Sequence, residues 1–582
     1  MNNHFRAALI FLIFLELLSI FAWGLPVFNT VAFLVIVFLT FVLALKKLRY
    51  GIYIAAAELI VGSYGYLFSL NFGMGNTLIS IRMGIFAAVM FSWVVNVLKH
   101  GGFRDYWCEL NAFEFFRYYL YLAAVLAWGF IWGIIRGNDF GNVFLDFNNW
   151  LFFLYLLPLL SIKKQADGSN RRPEPENLET CSFVDDPNVM VQSARLNQRE
   201  NKQELSRRLI VDDFWHGFVQ IVLAALCWLI IKTFILLYIF SHQFIWALPE
   251  VYQWIRDTRV GEITMISNNF YRIFLQSQIY ALLAFFILLP ISNFQFPISN
   301  KNSKFKIQNS KFLFLLIGCL SAVIISFSRS FWLGLIGGLC VYFLYLIFYG
   351  LRITDYGLRI KILIGQVFKL FGAVAISFSI IFLIVNLPPK IAGKNLSSLI
   401  SKRTTEIEAA GSSRLNMLKP LGLAIIKHPL IGSGFGATAT YQSADPRILT
   451  TTAVASGEYT TYAFEWAYLD LLLKIGLVGL AIYLLLIYKV LQALGKQIKN
   501  FEIKSLNFDS SFKLEVQNSD FKIESKFRIH TFKFGLMLAF ISLLIVNIFT
   551  PYLNHPLGIG AVILVSAFLD KGPINGNRSN SL

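Results

Sequence analysis

The most restrictive feature of this sequence is a series of long runs that are apolar on every side. Phe33 to Leu45 and Leu480 to Ile487 contain almost no polar residue, so no face of a helix through them prefers water. A surface helix of a soluble domain carries a polar stripe. A run that is apolar all round calls for hydrocarbon, and about 20 such residues cross a bilayer. Only 14% of the 582 residues are charged and 56% are hydrophobic, a balance outside that of ordinary soluble domains.

Hydropathy along the chain predicts about 14 spans. The fold class is all-α, a polytopic membrane bundle with one large outer loop. The segments divide into N-terminal spans (1–162), a polar insertion (163–209), central spans and loops (210–312), a core with its outer loop (313–489, loop 387–464), a low-complexity loop (490–532), and C-terminal spans with a tail (533–582). The insertion contains Arg171-Arg172-Pro173-Glu174-Pro175-Glu176 and few large apolar residues, a composition that predicts disorder. Short imperfect repeats, such as Asn302-Ser303-Lys304-Phe305-Lys306-Ile307 against Asn518-Ser519-Asp520-Phe521-Lys522-Ile523, mark biased loop sequence without chemistry.

The net charge of +18 does not indicate nucleic acid, because the basic residues lie between apolar runs. Arg6, Lys46-Lys47-Arg49, Lys99 with Arg104, Lys163 to Arg208, Lys301 to Lys311, Arg352 to Lys361 and Lys496 to Arg528 fall on alternate loops. Loops with this excess are cytoplasmic, which predicts a multi-pass protein of a cytoplasmic membrane with both termini inside. The intervening loops Asn71 to Asn76 and Thr550 to His555 have no Lys or Arg, and Arg136 is a lone exception in another. Arg6 followed by an apolar run without a cleavage site reads as a retained signal anchor. None of the five cysteines has metal-ligand spacing or lies in the outer loop, so neither a disulfide framework nor a metal site is expected.

On this topology four arginines face the outer leaflet: Arg82, Arg272, Arg329 and Arg414. Arg82 lies just inside the fourth span, Arg272 opens the eighth, Arg329 caps a Ser-Arg-Ser turn between two spans, and Arg414 lies in the outer loop. Guanidinium forks match phosphate oxygens and hold their charge when partly desolvated, so a cluster suits an anionic head group. Each could instead snorkel to the interface. Glu465 opens the span that follows the outer loop, where a carboxylate can take a proton from a hydroxyl or close the loop by a salt bridge. Glu16, Glu58 and Lys232 lie inside spans, as structural pairs or a proton path. The outer loop is too long to lack a role. Within it Leu415 to Ile426 has helical apolar spacing, and Gly432-Ser433-Gly434-Phe435-Gly436 marks a tight turn without a phosphate-loop signature.

The ordered set Phe327-Ser328-Arg329-Ser330-Phe331-Trp332-Leu333-Gly334, Arg414, Lys427-His428-Pro429-Leu430-Ile431-Gly432-Ser433-Gly434-Phe435-Gly436, Tyr468-Leu469-Asp470 and Gly476-Leu477-Val478-Gly479 resembles the O-antigen ligase/polymerase family of bacterial surface-polysaccharide enzymes. The specific part covers about 313–489, helped by Gly133 to Asn138. The resemblance implies a GT-C-like bundle and a metal-independent, inverting glycosyltransferase without cofactor. Its donor would be a glycan on undecaprenyl diphosphate at the outer face of the bacterial inner membrane, and its acceptor a glycan, lipid or protein. Arg82, Arg272, Arg329 and Arg414 match the family's diphosphate-binding arginines, with Glu465, Arg329 and Arg414 catalytic. Ligases of the family usually place a histidine where Glu465 stands, so either Glu465 or another loop residue such as Glu458 is the base. That departure favours a polymerase or a less typical transferase over a ligase. The rival reading is a transporter or flippase of lipid-linked oligosaccharide, with Glu16, Glu58 and Lys232 as coupling residues.

Overall fold

The computed structural model describes residues 3–71, 78–99, 102–167, 187–244, 247–267, 270–293, 303–350, 356–388, 409–443, 458–506 and 516–569. In chain order the helices before the first sheet are α1 (Asn3–Trp23), α2 (Pro26–Lys46) and α3 (Leu48–Val61). The hairpin β1 (Ser69–Asn71) and β2 (Leu78–Ser80) leads into α4 (Ile81–Lys99), α5 (Gly102–Leu110), α6 (Phe116–Ile135), α7 (Phe140–Asn148) and α8 (Leu156–Asp167). Next come α9 (Pro187–Ser241), α10 (Leu248–Asp257), the hairpin β3 (Gly261–Ser267) and β4 (Phe270–Leu275), α11 (Ile279–Asn293), α12 (Ser303–Ile325), α13 (Arg329–Gly350) and α14 (Tyr356–Asn386). The chain continues through α15 (Ala409–Lys427), the hairpin β5 (Ala439–Gln442) and β6 (Glu458–Thr461), α16 (Ala467–Leu506), α17 (Val516–Val546) and α18 (Pro556–Leu569).

Ten of the described helical segments are long and apolar enough to cross a membrane, and three shorter apolar ones accompany them at Gln276–Ser292, Lys311–Ile325 and Pro556–Leu569. The chain is thus a multi-pass, all-α membrane protein. Two places expected to be entirely helical are not. The third predicted span stops at Val61, and the eighth starts only at Gln276, behind a strand. In both cases a β-hairpin takes residues that hydropathy alone assigns to the helix, because Leu70–Ile79 and Ile263–Ile273 pair across strands. Helix α9 starts within the polar insertion. Residues 168–186 lie outside the described residues, while α9 already begins at Pro187, continuous with its apolar half.

The chain forms two compact units. One comprises Met1–Glu58, Phe68–Trp107 and Leu154–Ala225. In it α2 packs on α1 and α4, and α4 on α8. Its buried polar contacts include Trp93 Nε1 donating to Ser161 Oγ at 2.9 Å and Tyr53 Oη donating to the Phe214 carbonyl at 2.8 Å. The other comprises Leu59–Leu67, Cys108–Phe153 and Leu226–Leu582. There α11 packs on α12 and α17, α13 on α17, α12 on α14, and α16 on α6 and α17. The fit is close: a Cβ on Gly535 would meet the Ile287 backbone at 2.7 Å, so α17 and α11 touch at main-chain distance.

At one end of this second unit the helix termini and loops are tied together. Tyr552 Oη donates to the Gln276 carbonyl at 3.0 Å, joining the turn before α18 to the start of α11. Thr550 Oγ1 donates to Ser330 Oγ at 3.0 Å, joining the same turn to α13. Ser63, after α3, shares a 3.1 Å hydrogen bond with Ser277. The outer-loop helix α15 packs on β5 and α16, around Met417, Leu421, Tyr441, Phe464 and Leu473.

Four described non-glycine residues have left-handed backbones: Ser63, Gln243, Arg259 and Phe327, with φ between 47° and 54°. All belong to this unit, and each follows a helix end, after α3, α9, α10 and α12 respectively. Such residues cost about 1–3 kcal/mol each and persist where the surroundings over-determine them.

Candidate active site

The sequence Phe327-Ser328-Arg329-Ser330 forms the link from α12 to α13. Phe327, at φ 47°, is buried and packs against Phe270 and Trp332 at ring distances of 5.4 and 5.8 Å. Ser326 Oγ donates to the Val323 carbonyl at 2.6 Å and accepts the Ser328 amide at 3.2 Å. Ser328 and Ser330 share a 3.0 Å hydrogen bond across Arg329. The small hydroxyl residues thus satisfy the ends of two helices in little space, which leaves the arginine as the one long side chain of the turn.

Arg272 lies on β4 rather than at a helix start, opposite Thr264 in the antiparallel register. Its Nε donates to the Ser326 carbonyl at 2.9 Å, and its guanidinium lies 4.8 Å from the centre of the Phe274 ring. The same serine therefore anchors the turn of Arg329 and the side chain of Arg272.

Arg414 sits in α15 and reaches the start of α16 twice. Its Nε pairs with Glu465 Oε2, and its carbonyl accepts Trp466 Nε1 at 3.0 Å. Both ionic side chains remain partly open, 34% exposed for Arg414 and 47% for Glu465. Burial first, then the positive fields of Arg272 and Arg329, lower the pKa of Arg414, and Glu262 of β3 opposes that shift. An arginine so shifted still carries its charge at neutral pH. The practical content is spatial. Arg272, Arg329 and Arg414, from a strand, a turn and a loop helix, share one electrostatic neighbourhood with Glu262 and Glu465.

Arg82 has a different environment. It belongs to the first unit, where its Nε and Nη2 donate to Glu58 at 2.8 and 3.0 Å, with side chains only 7% and 8% exposed. Lys232 is buried and donates to the Val61 carbonyl at 3.2 Å, and Glu16 is buried in the first unit. Glu458 stands on the exposed side of β6, opposite Gln442.

The glycine-rich turn has a different task from a ligand loop. Helix α16 is broken at Gly476, at φ 66°. An unbroken helix would bond the Leu477 and Val478 amides to the Leu473 and Lys474 carbonyls. Instead, the Leu477 amide donates to the Pro429 carbonyl at 2.9 Å and the Val478 amide to Leu430 at 3.1 Å. The Ser433 and Gly434 amides take the two vacated carbonyls, at 2.6 and 3.0 Å. Asn138 Nδ2 donates to the Ser433 and Phe435 carbonyls at 3.1 and 2.8 Å. A side chain on Gly476 would strike the Leu430 carbonyl, and one on Gly434 the backbone of Gly133. Both positions require glycine for this approach as well as for their positive φ.

Beneath this splice lies a buried ionic triad. Lys474 Nζ is 2.7 Å from Asp146 Oδ1 and 2.6 Å from Asp470 Oδ1. The Gly436 amide donates to Asp146 Oδ2 at 3.1 Å, and Asn554 Nδ2 donates to Asp470 Oδ2 at 2.8 Å. The triad pins α7, the glycine turn, α16 and the turn before α18 to one another. Sequence reading passed over Asp146 and Lys474, although a lysine in Asp470-Leu471-Leu472-Leu473-Lys474 and an aspartate in Val143-Phe144-Leu145-Asp146 are each costly intramembrane charges that ask for a partner.

Residues 312–484 match the family model described as O-antigen ligase. The chain carries an O-antigen ligase domain. This domain runs from the start of the membrane part of α12 to just beyond the break in α16, and so contains Arg329, Arg414, Glu465, Asp470 and Lys474. No curated protein matches the chain. The match supports a role of the O-antigen ligase or polymerase type in surface-polysaccharide assembly, with an activity of the glycosyl-transfer kind. Arg272 and Asp146 lie outside the matched stretch, yet the fold brings both to the O-antigen ligase domain.

Proposed function

We propose that this protein transfers or polymerises glycan from an undecaprenyl-diphosphate-linked oligosaccharide at the outer face of a bacterial cytoplasmic membrane, by a single inverting displacement. The observation that carries the reading is the convergence of Arg272, Arg329 and Arg414 beside Glu465. Three guanidinium groups from separate elements make a site for a doubly charged diphosphate, and they stabilise the charge that grows as it leaves. With this charge supplied by arginine, the reaction needs no metal ion.

In the displacement the acceptor hydroxyl oxygen bonds to the anomeric carbon, and the bond from that carbon to the diphosphate oxygen breaks. Its electron pair leaves on undecaprenyl diphosphate, and the hydroxyl proton passes to Glu465. Arg414 holds Glu465 before the donor arrives. A diphosphate competing for Arg414 would release the carboxylate toward the acceptor, so that donor binding prepares the base. Arg82 has no part in this scheme, since Glu58 occupies it.

The transporter reading has one feature in its favour, the discontinuous helix α16. Transporters use the free backbone groups of such a break to hold ions. Here the Leu473 and Lys474 carbonyls and the Leu477 and Val478 amides are all taken by the loop 429–434. The break serves the fold, and the enzyme is the better reading.

The test is transfer in proteoliposomes with a radiolabelled lipid-linked oligosaccharide, comparing wild type with Arg329→Ala and Glu465→Gln. Glycan extension abolished by both changes supports the proposal. Movement of donor between leaflets without any transfer would sink it.

A further inference from the structure

Each arginine of the site is tied to one uncharged turn, of which the displacement above makes no use. Residues 547–555, Asn547-Ile548-Phe549-Thr550-Pro551-Tyr552-Leu553-Asn554-His555, lead from α17 into α18 and include no Lys, Arg, Asp or Glu. The turn is closed on itself. The Leu553 amide donates to Asn547 Oδ1 at 2.8 Å, the Tyr552 amide to the Thr550 carbonyl at 2.8 Å, and the Gly558 amide to the Tyr552 carbonyl at 3.1 Å. Pro551 fixes one backbone angle more. The turn lies well beyond residues 312–484, which match the family.

Three of its residues reach the three elements that carry the arginines. The Phe549 ring lies 5.2 Å from the ring of Trp466, whose Nε1 donates to the Arg414 carbonyl at 3.0 Å. Thr550 Oγ1 donates to Ser330 Oγ at 3.0 Å, and Ser330 is bonded to Ser328 across Arg329. Tyr552 Oη donates at 3.0 Å to the carbonyl of Gln276, the first residue after β4. The Tyr552 ring also lies 6.0 Å from Phe331, which is 5.7 Å from Phe274, the ring beside the Arg272 guanidinium.

Like charges brought together from a strand, a turn and a loop helix repel one another, so their spacing has to be held by other contacts. A carboxylate could hold them, but it would also occupy them, as Glu58 occupies Arg82. A neutral turn holds the elements and leaves the charge to a ligand. Spacing matters here because guanidinium forks bond phosphate oxygens in a defined geometry, and a displacement of about 1 Å can cost about 100-fold in rate.

We propose that the turn from Phe549 to Tyr552 sets the spacing of the three arginines for the diphosphate. Thr550 is the positioning residue for Arg329, Tyr552 for Arg272, and Trp466, held by Phe549, for Arg414. This rests on the transferase reading above and names what gives its donor site its shape.

The experiment uses the full chain in nanodiscs, with undecaprenyl diphosphate as the binding probe and kcat from the transfer assay. Thr550→Val removes the hydroxyl and leaves Ser330 its bond to Ser328. It should weaken probe binding about tenfold and lower kcat about 10- to 100-fold. Thr550→Ser, which restores the hydroxyl, should return both to near wild type. The decisive reading is a double-mutant cycle on probe binding. In an Arg329→Ala background Thr550→Val should cause no further loss, and Tyr552→Phe should cause none in an Arg272→Ala background. Tyr53→Phe, which breaks the bond to the Phe214 carbonyl in the first unit, should lower the unfolding midpoint and leave kcat unchanged.

Wild-type binding and kcat in both Thr550→Val and Tyr552→Phe would overturn the proposal. Losses that simply add to those of the arginine variants would overturn it too, since the turn would then act on the fold and not through the arginines. Absence of probe binding to wild type would leave no site to shape and would also overturn it. Should Thr550→Val fail to fold, Tyr552→Phe decides, because it removes a single hydroxyl. Failure of the transferase reading looks different: coupled cycles on probe binding, with no transfer by wild type in proteoliposomes.

Discussion

Two of the arginine–carboxylate pairs among the described residues, Glu58–Arg82 and Glu465–Arg414, have surroundings that make them different objects. Glu58 and Arg82, on α3 and α4 of the first unit, form a bidentate pair almost sealed from solvent. One charge meets one charge, and nothing remains for a ligand to gain. Glu465, just before α16, and Arg414, on α15 of the second unit, are partly open, and Arg414 lies in the field of two further arginines. There the positive charge exceeds the negative charge of the pair, so an anion is welcome and the carboxylate is exchangeable. An arginine inside a membrane protein becomes a binding residue when its neighbours leave its charge incompletely matched.

The strongest way to break this comparison is to remove the open carboxylate. Glu465→Gln should lower the rate of transfer by about 100- to 10,000-fold, as loss of a general base does, with donor binding unchanged or tighter because Arg414 is released. A variant that transfers normally would place the base elsewhere. Arg329→Ala should cost about 100-fold or more in transfer through lost charge stabilisation, with an unfolding midpoint near that of wild type.

The closed pair should answer in the opposite currency. Arg82→Ala should destabilise the fold by about 3–5 kcal/mol, because Glu58 is left buried without its partner. Transfer per folded molecule should be unchanged, measured as specific activity of the soluble fraction after a mild thermal challenge. Replacing both residues by leucine should recover most of that stability, whereas the same double change at Arg414 and Glu465 should stay inactive. Last and smallest, raising ionic strength should weaken donor binding several-fold by screening the open arginines, with no effect on the sealed pair's contribution to the unfolding midpoint. A donor affinity indifferent to salt would mean that the cluster does not hold the diphosphate.

Much of this was legible in the sequence. Arg329 announced itself through the two serines around it, and Arg414 and Glu465 through their places at the ends of the outer loop, because topology alone brings those positions to one end of a bundle. Topology brought Arg82 to the same predicted face, but gave no sign of its pairing with Glu58. Which side of a helix a residue turns to its neighbour depends on packing, so Glu58 and Arg82 were both recognisable as buried charges without being recognisable as each other's partner. Arg272 was read as a helix start because Phe270 to Leu275 is as apolar as a span; its strand exists only through pairing with Gly261 to Ser267. The bond between Asp146 and Lys474 joins residues 328 positions apart, a distance over which periodicity carries no information.

The splice at Gly476 bears on how the chain is made. A helix broken in lipid would leave bare amides and carbonyls, which hydrocarbon does not tolerate. The residues that cover them, Pro429 to Gly434, lie upstream and have left the ribosome before α16 follows. The patch is thus synthesised ahead of the wound. A rearranged chain that translated α16 first would have to hold an open break in the bilayer until its cover arrived.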